Sequence, residues 1–168
     1  MIESYYGLDN KLSCKFYVLG LHDNYLIESR GQKYILRIYR NNWRSEDEVL
    51  FELEWLDFLK SKTDLVAELI KTKKGDLAFP IDSPEGPRLA SMFRYADCKA
   101  PTNTVSANDA ELLRCAIANI HNIPDEFVPR GTRQVLDIPY LLDRSINDIK
   151  PYLDNDGVSY ICDLREQL

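Results

Sequence analysis

KYILRIYRNNWRSEDEVLFELEWLDFL, residues 33–59, decides how this chain folds. In KYILRIYR the side chains alternate, with Tyr34, Leu36 and Ile38 on one face and Ile35, Arg37 and Tyr39 on the other, which is the period of a strand. Ser45 then opens a helix with Glu48 three residues on, a capping box, and Glu46 and Asp47 suit the positive first turn. The helix runs to about Lys60. Val49, Leu53, Leu56 and Leu59 form one apolar stripe and Phe51, Trp55 and Phe58 a second, so both sides of the helix want cover. Glu52 interrupts the first stripe. An acid there and Arg37 in mid-strand would each cost several kcal/mol if buried unpaired, and pairing them removes much of that cost. Two readings of the pair stand: a carboxylate that positions a cation for nucleotide phosphates, the division of labour in kinase sites, or an ordinary strand-to-helix salt bridge.

Outward from this stretch the pattern is strands on both sides, then helices. Residues 12–21 and 24–29 are rich in aromatic and β-branched types, and Arg30-Gly31-Gln32 supplies a turn, giving a three-stranded antiparallel meander with strand 33–40. Residues 66–72, 77–81 and 88–96 read as further strands, separated by Lys73-Lys74-Gly75-Asp76 and Ser83-Pro84-Glu85-Gly86-Pro87 turns. DCKAPTNTV, 97–105, is a polar connector. Ser106 with Asp109 caps a helix whose Ala110, Leu113, Ala116 or Ile117, and Ile120 recur at helical spacing up to Ile123-Pro124. Weaker helices follow near 137–149 and from about 158. The fold class is α+β.

Composition narrows the function. The chain has 168 residues, 45% hydrophobic and 29% charged, which suits a soluble globular protein of one domain or one and a part. The net charge of −6 argues against a general nucleic-acid binder. No apolar stretch approaches the roughly 20 residues of a membrane span, and MIESYYGLDNK lacks the order of a signal peptide, so the expected location is the cytoplasm. Residues 1–44 carry 7 Lys and Arg against 4 Asp and Glu, whereas 45–168 carry 14 against 23. A basic front on an acidic body would suit an anionic ligand at the front, but a solvated face without a ligand is the commoner cause of such a bias. The four cysteines stand singly and read as packing thiols. With His22 and His121 the two histidines of the chain, a Cys/His metal centre is not expected, and His121 reads as a core histidine beside Ile117 and Ile120. Neither GxGxxG nor GxxxxGK[ST] occurs, and the Gly20-Leu21-His22-Asp23-Asn24 corner is by itself either a phosphate-facing turn or a plain hairpin.

The order NYLIES, KYILRIYRNNWRSEDEV, FELEWLDFL, RLASMFRYADC and AELLRCAIANIHNIP resembles the N-terminal half of the aminoglycoside phosphotransferase and choline kinase superfamily. It is nearest the branch containing the bacterial stress response kinase and homoserine-kinase-like enzymes. The shared pattern is Arg37, Ile38, Tyr39-Arg40, Trp43, the Ser45 cap and the inward Glu52, over about residues 12–125. The resemblance implies a protein-kinase-like fold: a five-stranded antiparallel nucleotide-binding lobe with one helix (1–96), a hinge (97–105), and a partial helical lobe (106–168). It implies ATP as cofactor, with Arg37 in the place of the phosphate-binding cation, Glu52 as its partner, and Gly20, Asp23 and Asn24 in the loop over the phosphates. Met92, Phe93 and Tyr95 fall on or beside the hinge strand that contacts adenine.

The family's chemistry needs a catalytic-loop Asp with an Asn five residues later and a second metal-binding Asp. None of the 16 aspartates in this sequence has Asn at that position, and Asp57-Phe58, the one Asp-Phe pair, lies inside the first long helix. The resemblance therefore implies the front portion of a kinase with a small-molecule or protein hydroxyl acceptor, truncated before its catalytic loop and inactive alone. Mg²⁺ belongs to a complete member. The other reading is a non-catalytic nucleotide-binding or protein-interaction module. In either case a homodimer or partner protein would meet residues 106–168, whose apolar face wants cover.

Overall fold

The computed structural model describes residues 2–9, 11–97, 105–123 and 126–167, which form two compact units, Met1–Thr132 and Arg133–Leu168. The first unit is built on an antiparallel sheet of six strands: β1 (Ser13–Leu19), β2 (Asp23–Ser29), β3 (Gln32–Ile38), β4 (Leu69–Ile70), β5 (Phe79–Ser83) and β6 (Gly86–Arg94). The expected meander is present, since β1 pairs β2 and β2 pairs β3. The β2–β3 turn places Arg30 and Gly31 at φ of 50° and 77°, the two positive values of a tight hairpin that follows strand twist.

The lobe has six strands rather than five. The long β6 carries β3 along one edge, while its other edge is shared, with β5 pairing residues 86–90 and β4 pairing Met92 and Phe93. The expected five-residue turn at 83–87 is a tight hairpin in which Ser83 pairs Gly86. A helix, α1 (Ile2–Tyr6), precedes the strands.

Residues paired directly across the ladders share a face of the sheet. One face carries Ile27, Leu36, Phe79, Ile81 and Ala90, covered by Ile2, Tyr5 and Tyr6 of α1; the Tyr5 ring lies 4.2 Å from that of Phe79. The other carries Tyr39, Leu69, Leu77 and Phe93, packed against Val49 and Leu53 of α2 (Glu46–Lys62). The alternation of residues 34–39 thus seats β3 between two cores. Ser45 caps α2 in the reciprocal manner its spacing implies: its hydroxyl accepts from Glu48 N–H and the Glu48 carboxylate accepts from Ser45 N–H.

A third helix, α3 (Ala107–His121), starts at a Ser106–Asp109 capping box. Its apolar stripe is not covered by the described residues, and Leu112, Leu113 and Ile117 are exposed. His121 is exposed as well, so it is not a core histidine. Cys14 and Cys115 also sit at the surface instead of packing inside, and Cys98 lies outside the described residues together with most of the expected 97–105 connector.

The second unit holds a π-helical turn at Pro139–Asp143 running into α4 (Arg144–Ile149), then α5 (Asn155–Glu166). Asp154 caps α5 by accepting from Gly157 N–H at 2.8 Å. No described helix is long and apolar enough to cross a membrane.

Candidate functional site

The site lies on the α2 side of the sheet, in the first unit. Arg37 reaches it from near the C-terminal end of β3, on the face that alternation gives to Ile35 and Tyr39, and Glu52 reaches it from α2 one residue before the fully buried Leu53. Arg37 Nη1 donates to Glu52 Oε1 at 3.1 Å. The Arg37 guanidinium also stacks on Phe93, its central carbon 4.8 Å from the ring centroid. Side-chain exposures of 31% and 28% leave both partners wet. A pair that wet contributes at most about 1 kcal/mol to stability. Its stronger effect is geometric. Glu52 and Phe93 fix the fork, and Glu52 occupies one of five N–H donors, so the guanidinium keeps donors for a second anionic group.

The corner beside it is tied together by its own groups. Asn24, the cross-strand neighbour of Arg37, donates its side-chain amide to His22 O at 3.0 Å, and Gly20 N–H donates to the same carbonyl at 3.2 Å. Asp23 is held by Arg88 at 2.8 Å. A Cβ built on Gly20 would meet nothing within 4 Å, so the corner is open above that glycine.

Arg88 is a residue the sequence reading passed over as one more strand position. It is nearly buried, and besides Asp23 it donates to Tyr39 O at 2.8 Å and Ile38 O at 3.3 Å. One side chain thereby ties the corner to the end of β3. Its signal in the sequence was a cation between Pro87 and Leu89 on a strand buried toward its end, the same signal that marked Arg37. Ser91 was missed too, and Tyr39 was read only as part of the shared pattern. Their hydroxyls are buried beside Arg37 with no hydrogen bond of good geometry. Burial and then the Glu52 carboxylate push the Tyr39 phenol up, against smaller opposing effects of Ser91 and Arg37.

The three hinge-strand candidates do not act alike. Met92 is fully buried and shares its face with Leu36, away from Arg37, and Phe93 is buried beneath the guanidinium. Tyr95 keeps part of its ring open, edge-on to Tyr17 at 6.1 Å, with Lys33 Nζ 5.6 Å from its centroid.

His22 reports the local field. Its Nδ1 accepts from Arg40 N–H at 3.1 Å, and its ring lies 4.8 Å from that of Tyr39. Burial lowers its pKa, Arg37 lowers it further, Glu52 opposes, and Arg44 and Arg88 add to the fall. Three cations and one carboxylate thus act on this ring, after burial. Because the folded state depresses this imidazole, it holds the ring neutral; the stabilisation is complete above the ordinary value of 6.5 and is lost as pH falls through the lower folded value. The urea midpoint is expected to drop between pH 7 and pH 5 by more in the native chain than in His22→Gln, and equal slopes would contradict the assignment.

Among the described residues no three His, Cys, Asp or Glu side chains converge as a metal-holding group.

The sequence matches no known family profile. It is 37% identical over 153 residues to the uncharacterized protein sll1119 of Synechocystis sp., covering 91% of this chain and 42% of that one. It is 34% identical over 134 residues to an uncharacterized protein of Deinococcus radiodurans, covering 80% and 38%. The chain thus spans about two fifths of the length of these curated relatives. Among solved structures it is similar to a microcompartment-associated aminopropanol kinase, with a TM-score of 0.69 and 21% identity over 84% of this chain and 45% of that one. It is similar also to the amicoumacin kinase hAmiN in complex with AMP-PNP and Ca²⁺, at 0.64 and 19% over 99% and 51%. A third is the spectinomycin phosphotransferase APH(9)-Ia in complex with ADP and spectinomycin, at 0.58 and 14% over 92% and 46%. The fold of this chain is aminoglycoside phosphotransferase-like and protein-kinase-like.

Proposed function

We propose that this chain is the nucleotide-binding front of an ATP-dependent, cytoplasmic phosphotransferase, with residues 1–96 as the nucleotide lobe, 97–105 as hinge and 106–168 as the start of a helical lobe. The observation that carries the reading is the Arg37 fork, fixed by Glu52 and Phe93 beside a corner that is open above Gly20. In this reading Arg37 holds the phosphates, Glu52 orients Arg37, and the backbone of the Gly20–Asn24 corner lies over the phosphates with Asp23 fixed by Arg88. Tyr95, with Tyr17, borders the base, while Met92 and Phe93 support the strand and the cation from within. The nucleotide, when bound, supplies the transferable phosphoryl group. The acceptor, a small-molecule or protein hydroxyl, is met by parts of a complete protein that contain the Asp and Asn this sequence lacks, and magnesium is held there as well.

Calorimetry of the 168-residue chain with ATP is expected to show weak, saturable binding that magnesium changes little, and no phosphoryl transfer above a mock preparation. Absence of saturable binding would overturn the nucleotide site. Magnesium-dependent transfer would overturn the claim that the chemistry lies elsewhere. An interaction module without catalysis is favoured by one observation, the exposed Leu112, Leu113 and Ile117 of α3, which a second copy or a partner protein would cover. A dimer in light scattering supports that addition, and a monodisperse monomer counts against it.

A further inference from the structure

Helix α2 has two apolar sides, and the sequence gives no hint of what covers the second. In the structure the segment 126–131 does so. Phe127 enters the aromatic stripe with its ring centroid 5.6 Å from Phe51, 5.0 Å from Trp55 and 5.5 Å from Phe58. On either side of this plug the contacts are polar. Glu126 pairs with Lys62 at 3.1 Å near the C-terminal end of α2. Arg130 donates its backbone N–H to Glu54 at 2.9 Å and its Nε to the same carboxylate. Glu54 is 10% exposed whereas Arg130 is 83% exposed, so the segment desolvates the helix acid while its own cation stays in water. Burial raises the Glu54 pKa, but hydrogen bonds from Arg130 and from the Gly131 N–H outweigh it and leave the carboxyl below its ordinary value.

Gly131 completes the contact. A Cβ there would stand 2.5 Å from the carbonyl oxygen of Asp47, so the backbone can approach the first turn of α2 this closely because the residue is glycine. Reading 126 to 131, the partners on the helix run from Lys62 through Phe58, Trp55 and Glu54 to Asp47. The segment therefore lies antiparallel along almost the whole of α2 and holds it at both ends and in the middle. On the same helix Glu52 follows Phe51 directly, about 100° round from that ring.

We propose that the strap 126–131 is a positioning element for the Arg37–Glu52 pair, with Phe127 and Gly131 as its positioning residues. The proposal rests on the nucleotide reading only for its consequence in binding. A helix seated between a sheet and a strap has one register, and Glu52 then meets Arg37 with the fork aimed at the phosphates. With the strap released, α2 keeps Val49 and Leu53 on the sheet but loses the cover of its aromatic side, and its freedom to roll is transmitted to Glu52. An acidic strap lock also carries a sign: because Glu54 is depressed in the folded state, its contribution is complete above its unfolded pKa and is lost as pH falls through the folded one.

The test compares the native chain with Phe127→Ala, Gly131→Ala and Phe127→Trp. Its primary readout is the Arg37 side-chain ¹⁵Nε–¹Hε resonance, with amide hydrogen exchange along α2 beside it. In Phe127→Ala and Gly131→Ala that resonance is expected to move toward the position of an unpaired arginine. Protection of α2 should fall about tenfold while that of β1–β3 holds. In Phe127→Trp, which refills the slot, the native signal should return. ATP affinity should fall about threefold or more with the first two variants. Should Phe127→Ala fail to fold, Gly131→Ala decides, since it leaves the aromatic plug intact. An unmoved Arg37 resonance in a variant whose Trp55 fluorescence shows the strap released would overturn the proposal. If the native chain binds no ATP, the nucleotide reading fails, and the resonance and exchange still decide the strap.

Discussion

Leu53→Ala is expected to destabilise the chain by about 2–5 kcal/mol, because it empties a fully buried site that the backbone cannot collapse to fill. Leu53 is the point at which α2 meets the sheet: it packs in one cluster with Tyr39, Val49, Leu69, Leu77 and Phe93. Two of those neighbours also touch the site, Phe93 beneath the Arg37 guanidinium and Tyr39 against His22. The same substitution at the exposed Leu112 of α3 should change stability by no more than about 0.5 kcal/mol. Urea denaturation of both variants checks the contrast. A loss below about 1 kcal/mol at Leu53 would mean that α2 is not seated on the sheet as described.

Arg37→Ala is expected to lower ATP affinity by about 10- to 100-fold, the effect of removing charge-assisted hydrogen bonds worth roughly 1.5–3 kcal/mol. Its effect on stability should be smaller, since a pair with about a third of each side chain exposed contributes at most about 1 kcal/mol. This inequality separates the two readings of the pair. A phosphate site loses more in binding than in folding, and a mere strand-to-helix salt bridge does the reverse. Arg37→Lys keeps the charge and loses the fork, so it should fall between the native chain and alanine. Glu52→Gln should weaken binding less than Arg37→Ala, because the glutamate acts through the arginine. Calorimetry on variants that retain the native unfolding transition checks all three.

What the sequence revealed and what it hid follow from the range over which each signal acts. The strand at 33–40 was legible because alternation is local, and the start of α2 because a capping box is contained in four residues. Arg37 and Glu52 were legible as a pair because each broke an apolar pattern that its own element had set, and the break asked for a partner of opposite charge. The second stripe of α2 announced that something must cover it. It could not announce Phe127, since an aromatic side chain 69 positions after Phe58 carries no local mark of its destination. The same limit hid the sharing of the β6 edge between β4 and β5, the packing of α1 under Phe79, and the reach of Arg88 back to Asp23. Met92 and Phe93 lie on opposite faces of β6, whereas the family resemblance set them together on or beside the strand that contacts adenine. Their opposite faces leave Tyr95 as the hinge-strand ring with open surface.

The central claim is that a nucleotide's phosphates meet Arg37. The most direct measurement is the Arg37 ¹⁵Nε–¹Hε resonance followed while AMP-PNP is titrated into the ¹⁵N-labelled chain. The account predicts a saturable shift of that resonance, accompanied by the backbone amides of Gly20–Asn24. An Arg37 signal that stays fixed while amides elsewhere in the chain shift to saturation would contradict it.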